Sequence, residues 1–449
     1  EEKHNLLWLI LIAVFMQSMV AFIQFFILEN DDLPGFNPQT NRPFGLFLQP
    51  NVMASFLATG IAIALYLSTK ITLKNTYKSG FIKLILLMAS FLLIALKSRA
   101  GFFGVTFSLI LLTPMLMKVN KKLFYQQLSI IAVGVILAKV ALMSHPTSTI
   151  EKTGKNIQAR QDIYQTSAQM ILDKPLQGYG YGSFERSYWD YSLKKRIQNP
   201  TLNPPLEKLT HPHNEILYWG VEGGIVALIG LGCFAWGYLR LFRQVKWRKA
   251  SALIALVMPI VFHSQVEFPF YSSASHWVII LILVFYTSET LKIKASALHF
   301  TSPLIPRFMA LLTFSIFIPF FITTLHTAYI VTAHEKSGFL KIQSFDNIIN
   351  PLPWRSRIDA NINAQKLIVG FRTKNKKLLK SYISWGSKRI KHSPRTSIYS
   401  NLLLCLKILN NQQGYEAMLI AAKNTFPDHK NWKSELVQSV EKDFEQTRL

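Results

Sequence analysis

Cysteine is nearly absent from this chain. Only Cys233 and Cys405 occur, one inside a hydrophobic run and the other in the polar C-terminal region. Neither a disulfide framework nor a cysteine-based metal site is expected. Acidic residues are scarce as well: 24 Asp and Glu stand against 49 Lys and Arg, for a formal net charge of +25. In a soluble protein such an excess points to nucleic acid. No basic helix or aromatic-studded strand pattern accompanies it here, so nucleic acid is not expected as a partner. Also missing is the regular alternation by which soluble proteins distribute apolar residues. Hydrophobic residues make up 50% of the 449 and are gathered into long blocks nearly free of charge. Blocks of roughly 18 residues or more are the signature of membrane-spanning helices. No signal-peptide cleavage pattern follows Glu1, and the first block is itself long enough to span. The non-Met start reads as a fragment or a processed form.

The blocks predict an all-α, polytopic transmembrane helical bundle with nine spans: 6–28, 51–69, 81–96, 100–117, 123–143, 215–239, 250–268, 273–290 and 307–330. Five lie in residues 1–143 and four in 215–330, separated by a long loop, 144–214, and followed by a tail, 331–449. The connecting loops sort by charge. Lys70, Lys74 and Lys78, then Lys118, Lys121 and Lys122, then Arg240, Arg243, Lys246, Arg248 and Lys249, then Lys292 and Lys294 occupy one set. Positive residues resist translocation, so that set faces the cytoplasm. Segments 29–50, 97–100, the long loop, 267–272 and the tail then lie together on the outer side, because domains as long as the tail translocate despite their charge. In a bacterium this is the periplasmic face of the inner membrane. The tail predicts a small α-helical periplasmic domain: 397–408, a turn at 410–414, and 415–423 before Pro427 read as a helical hairpin. Such pairs resemble tetratricopeptide units, although no clean period of about 34 residues is present.

Four outer-side segments carry polar groups suited to chemistry. His211-Pro212-His213-Asn214-Glu215 stands where the long loop enters a span. Histidine is the side chain poised for proton transfer near neutral pH, and Asn214 suits a helix cap. The plainer alternative is a capping loop with incidental imidazoles. His-x-His supplies two metal ligands, but no third is evident from spacing, so no metal is expected. Asn41-Arg42-Pro43-Phe44-Gly45-Leu46-Phe47-Leu48-Gln49-Pro50-Asn51 sets two amides about a proline at the membrane surface, suited to sugar hydroxyls or phosphates, or simply to starting a helix. Ser98-Arg99 forms a tight outer turn in which an arginine pairs with an anion or snorkels. Arg160 opens a predicted amphipathic helix, 160–172, where a solvated face is the ordinary reading. Finally, His263 and Glu267 are four apart, and on a helix they share one face near its outer end; a structural ion pair is the alternative to function.

Three other patterns carry little. Gly178-Tyr179-Gly180-Tyr181-Gly182 lacks the Lys-Ser/Thr of a phosphate loop. Trp189-Asp190-Tyr191 resembles only part of the Trp-Trp-Asp-Tyr-Gly signature of N-linked oligosaccharyltransferases. Asn30-Asp31-Asp32 reads as solvated acid rather than an ion site.

Taken in order, Arg42 to Asn51, Ser98-Arg99, Pro175-Leu176-Gln177-Gly178-Tyr179-Gly180, His213-Asn214 with Gly224 beyond it, and His263 to Tyr271 resemble the O-antigen ligase and polymerase superfamily. The Pro-Phe-Gly…Gln-Pro-Asn run resembles its protein O-oligosaccharyltransferase branch, which glycosylates pilins and other periplasmic proteins. The resemblance covers roughly 6–330. Members usually have more spans than are read here, so it implies that an N-terminal group is missing from this chain. It further implies a glycan donor on undecaprenyl diphosphate, an acceptor hydroxyl, transfer in the periplasm, and no nucleotide sugar or essential metal or other cofactor. On that footing His213 is the catalytic base and Arg99 and Arg160 bind the diphosphate. Gln49, Asn51, Asn214, His263, Glu267 and Tyr271 line the substrate site. Direct displacement would invert the anomeric centre. Ligation of O-antigen to lipid A-core and glycan polymerisation share this scaffold and differ in acceptor. A transporter would place charges near span midpoints, whereas here they cluster at the outer ends; a scaffold role for the tail would leave His213 idle.

Overall fold

The computed structural model describes residues 2–28, 42–47, 49–70, 76–144, 153–292, 302–339, 341–427, 429 and 432, with backbone alone at Glu2 and 153–158. Asn30-Asp31-Asp32, Asn41 and Leu48 lie outside the described residues. Among the described residues there are helices and turns and no strand. They form two compact units, Glu1–Tyr181 with His211–Ala295, and Gly182–Thr210 with Ser296–Leu449. Among the described residues, eight helices are long and apolar enough to cross a membrane. The chain is a multi-pass membrane protein.

The first unit contains α1 (Glu2–Phe26), α2 (Pro50–Ser68), α3 (Thr76–Ala95), α4 (Arg99–Val119), α5 (Lys121–Ser144) and α6 (Thr153–Asp173). After α7 (Phe184–Gln198), which belongs to the second unit, come α8 (Glu215–Arg240), α9 (Trp247–Ser264), the single turn α10 (Pro269–Ser272) and α11 (Ala274–Leu291). Helix α2 is the hub, with every residue from Val52 to Ser68 buried. Small residues permit this, because they let helix backbones approach closely. A methyl group on Gly101 of α4 would lie 2.6 Å from Ala54 Cβ of α2, and one on Gly60 would lie 2.8 Å from Val14 of α1. Of the nine predicted spans, 250–268 is the one outside the eight: α9 carries Arg248 and Lys249 in its first turn and stops at Ser264. Gln265 to Phe268 form a turn, so Glu267 lies beyond the end of the helix that carries His263.

The two ends of this unit differ chemically. At one end Lys70 lies close enough to Lys249 and Lys3 to feel their charge, and Lys249 Nζ donates to Thr290 O at 3.1 Å. At the other end lie the starts of α2, α4, α8 and α11 and the finish of α9.

Helix α8 is interrupted. Gly224 adopts φ 62°, ψ −154°, which glycine reaches without steric cost. The break exposes backbone groups that the loop after α6 satisfies. Tyr179 N–H donates to Val221 O at 2.8 Å, Gly180 N–H to Glu222 O at 2.9 Å, and Ile225 N–H donates back to Pro175 O at 2.7 Å. The glycine-rich run is thus a backbone splice between α6 and α8. Gly178, at φ +64°, is its tightest point: a Cβ there would lie 2.5 Å from Val221 O.

In the second unit α12 (Leu304–Lys336) is followed by α13 (Arg355–Arg372), α14 (Lys376–His392), α15 (Thr396–Ile408) and α16 (Gln412–Thr425). The predicted hairpin is α15 and α16; α13 and α14 form a further pair that the sequence reading did not resolve. Helix α14 buries Leu379, Tyr382, Gly386 and Ile390 at helical spacing, and Asn375 caps it. Trp189 of α7 is a core residue here, its Nε1 donating to Thr425 O at 3.0 Å, while Asp190 pairs with Arg186. The Trp-Asp-Tyr triplet is structural. Cys233 and Cys405 are free thiols.

The splice generates a prediction. Gly178→Ala incurs both a left-handed backbone, about 1–2 kcal/mol, and a clash with the Val221 carbonyl. Gly180, at φ +98° with nothing within 4 Å of a built Cβ, incurs the backbone term alone. The melting temperature of the detergent-solubilised protein is expected to drop more for Gly178→Ala than for Gly180→Ala. Equal drops would mean that the close approach does not matter.

Candidate active site

The site is assembled from the loop that enters α8, the turn that leaves α9, one face of α6 and the start of α2. Asn214 is the N-cap of α8: its Oδ1 accepts from Leu217 N at 2.9 Å, and its Nδ2 donates to Gln265 O at 3.0 Å. One amide therefore starts a helix and ties it to the α9 turn. Tyr164, one turn along α6 from Arg160, donates its hydroxyl to His213 O at 3.1 Å and faces Gln265 O at 3.4 Å.

His213 lies in the left-handed region at φ 56°. For a residue with a Cβ this costs about 1–2 kcal/mol, and such strain persists where surrounding contacts dictate it. Here the Tyr164 bond holds its carbonyl, and the ring is aimed at Glu267, with Nδ1 2.9 Å from Oε2. The other oxygen of Glu267, Oε1, accepts from Arg160 Nη2 at 2.9 Å and from Asn51 Nδ2 at 3.4 Å. His211 lies against the Phe268 ring, tilted by 32°, and brings Nε2 to 3.9 Å from Oε2.

Burial alone would raise the Glu267 pKa. His211 and His213, with the charge of Arg160, outweigh it and hold the carboxyl well below the usual carboxylate range. Burial pushes the His211 imidazole below its usual value, against the pull of Glu267. The Glu267 side chain is 9% exposed, that of His213 25% and that of Arg160 42%. The carboxylate is thus interior while its two partners reach the surface.

Several expected site residues meet here, and others do not. His213, Arg160, Glu267, Asn51 and Asn214 converge. Gln49 caps α2 only through its backbone, its carbonyl accepting from Met53 N at 3.2 Å. Arg99 opens α4 with an exposed side chain and, among the described residues, no ion pair. Gly101, two residues on, packs against Ala54, one turn from Asn51. Arg99 therefore stands at the same end of the bundle, with no ion pair to Glu267 among the described residues. Tyr271 packs edge-on against Tyr218 at 5.3 Å, beside the cluster rather than in it.

His263 is corrected more sharply, because it is fully buried and closed to substrate. Its Nδ1 lies 2.7 Å from Ser55 Oγ, which also lies 2.9 Å from His276 Nε2, and His276 Nδ1 lies 2.9 Å from Ser273 Oγ. This chain of polar groups ties α2, α9 and α11 together beneath Asn51 and Glu267. Sequence reading missed Ser55, His276 and Tyr164. The only available signal was Tyr164 falling one turn after Arg160.

Glu267 also supplies the third metal-ligating group that spacing did not reveal, since ligand atoms of His211, His213 and Glu267 lie within 4.8 Å of one another. The arrangement is a hydrogen-bonded one, in which both carboxylate oxygens are engaged and a guanidinium occupies one of them. A dication would compete with Arg160 for that oxygen.

Three family models match the chain. The O-antigen ligase model covers residues 84–232, the protein glycosylation ligase model residues 43–67, and the model for the C-terminal part of a virulence-factor membrane-bound polymerase residues 251–441. Between them they take in every residue of the convergent site. A general O-oligosaccharyltransferase of Acinetobacter baylyi is 25% identical over 284 residues, covering 58% of this chain and 46% of that protein. A candidate polysaccharide ligase of Rickettsia felis is 27% identical over 273 residues, covering 51% of this chain and 64% of that protein. The chain thus spans about half to two thirds of the length of these relatives, 46% and 64%. The similarity to the O-antigen ligase superfamily and its protein-glycosylating branch, read from the motifs, is borne out.

Two predictions follow from the geometry. Ser55→Ala leaves two buried imidazole nitrogens without their shared partner, at about 1–3 kcal/mol, which a lowered melting temperature measures; an unchanged value would mean the network is not stabilising. The second concerns pH. Folded His211 and Glu267 both hold protons less tightly than the unfolded chain does. Their contribution is complete above the unfolded values, about 6.5 for histidine and about 4.3 for glutamate, and is lost as pH falls through the folded ones. The melting temperature is expected to fall on acidification below about pH 6.5, and His211→Gln to remove the first part of that decline. A decline of the same size in the variant would exclude His211 as its source.

Proposed function

We propose that this chain transfers a preassembled glycan from undecaprenyl diphosphate to a Ser or Thr hydroxyl of periplasmic proteins such as pilins, on the outer face of the bacterial inner membrane. The observation that carries the reading is the shared carboxylate. Glu267 accepts at His213 Nδ1 and so leaves Nε2 as the nitrogen that takes a proton, the arrangement that makes an imidazole a general base. A hydroxyl is a poor nucleophile until its proton is removed.

In the proposed step the acceptor oxygen bonds to the anomeric carbon while its proton passes to His213 Nε2. The bond from that carbon to the phosphate oxygen breaks, its electron pair leaves with the lipid diphosphate, and the centre inverts. Arg160 spends one donor on Glu267, and a guanidinium has five. The others, with Arg99 at the same end, stabilise the diphosphate as it departs, a contribution usually among the largest in such reactions. Asn51 and Asn214 fix the carboxylate and the loop. No metal takes part in this scheme.

A second reading, transfer to lipid A-core, is favoured by the match to the O-antigen ligase model. Both are tested together by supplying the full chain in membranes with a lipid-linked glycan, a pilin and a lipid A-core acceptor, and reading products by mass spectrometry. Glycosylated pilin is expected, with His213→Ala slower by about 10²–10⁴-fold, and chelation of divalent cations is expected to leave the rate unchanged. Product on lipid A-core alone would replace the protein acceptor with the second reading. Undiminished transfer by His213→Ala would remove the base, and loss of transfer on chelation would turn the cluster into a metal centre.

A further inference from the structure

The first two turns of α8 carry two carboxylates inside an apolar helix, at 7% exposure for Glu215 and 4% for Glu222. Buried ionisable groups in such a helix are expensive and need a reason. Each has an aromatic partner one turn away. Trp219 Nε1 donates to Glu215 Oε2 at 3.0 Å, and the Tyr218 hydroxyl pairs with Glu222. The second Glu215 oxygen is buried with no hydrogen-bond partner.

The two anchored rings are met by two exposed ones. Tyr181, 72% exposed, stands edge-on to Trp219 at 5.9 Å, and Tyr271, 52% exposed, stands edge-on to Tyr218 at 5.3 Å. The Tyr271 hydroxyl is raised by burial and then by Glu215, Tyr218, Glu222 and Tyr181, so all five groups belong to one neighbourhood. The Tyr271 ring also lies 5.9 Å from that of Phe268, and Phe268 packs against His211. The patch therefore borders the His213–Glu267 centre.

Aromatic residues at a membrane surface ordinarily form a lipid-facing belt, which requires no oriented rings. Here two of four rings are fixed by buried carboxylates, and the α6–α8 splice holds the residues before Tyr181. Rigid Tyr and Trp faces with polar tips offer contact area at small entropic cost. Such faces suit the apolar side of a pyranose ring, while the phenol hydroxyls suit its hydroxyl groups.

We infer that Tyr181, Tyr218, Trp219 and Tyr271, oriented by Glu215 and Glu222, form a subsite for a pyranose unit of the donor glycan beyond the sugar being transferred. This rests on the proposed transfer reaction. In it Glu215 and Glu222 are positioning residues and the rings touch the glycan.

The test uses the full chain with two lipid diphosphate donors, one bearing a single sugar and one an oligosaccharide, and a fixed acceptor. Tyr181→Ala is expected to raise KM for the oligosaccharide donor by about five- to tenfold, as loss of an aromatic contact would, and to leave KM and kcat for the single-sugar donor unchanged. Trp219→Phe, which keeps a ring but loses the Glu215 bond, is expected to shift KM the same way by less. Equal effects on both donors, or none on either, would reduce the patch to a membrane belt and overturn the inference. So would a shift that followed a change of acceptor rather than of donor. Absence of transfer from either donor by the unaltered protein would sink the proposed function instead.

Discussion

A carboxylate in the turn after α9 holds this site together. Glu267 comes from the turn after α9, His213 from the loop before α8, Arg160 from α6 and Asn51 from α2, and their polar atoms meet on its two oxygens. A buried carboxylate with a single partner would be a liability. With an arginine, a histidine and an amide disposed around it, the charge is compensated, and each partner is oriented in return. The same carboxylate that is stabilised by the site also orients the imidazole that faces outward.

Two supports keep those elements in register. Below the carboxylate, the chain of Ser55, His263, His276 and Ser273 joins α2, α9 and α11 through groups that are fully or nearly fully buried. Beside it, the loop after α6 repairs the broken backbone of α8, so that the helix carrying Arg160 is tied, through the loop that follows it, to the helix that His213 precedes. Neither support carries reactive groups to the surface. Their effect is to turn residues from distant parts of the chain into one rigid constellation, which positional catalysis requires.

Much of the fold was legible because a bilayer imposes a length and an apolarity on each helix, and both survive in a single sequence. The limits of that reading are physical too. Val266 and Phe268 extend the apolar pattern of α9 to residue 268, yet the helix ends at Ser264, so Glu267 belongs to the turn beyond it while His263 is buried within it. His213, Arg160 and Asn51 were legible singly, as polar groups gathered at one membrane face. Their pairings with Glu267 join residues 54, 107 and 216 positions apart and leave no local periodicity. Ser55 was invisible for a different reason: a serine inside an apolar helix ordinarily satisfies itself on a nearby carbonyl, and this one also does so, at Val52. The role of Gly178 was hidden because a glycine-rich loop reads as a ligand cradle, whereas its occupant here is the protein's own backbone.

The left-handed backbone at His213 narrows what evolution can try at this position. A replacement has to tolerate positive φ, which favours Gly, Asn and Asp, and in the proposed reaction it has to present a titratable nitrogen, which none of those offers. The residues that adopt this shape at least cost lack that nitrogen. Drift among homologous glycan-handling proteins therefore has few single-step routes through this position, and change in what they recognise is left to the surrounding side chains.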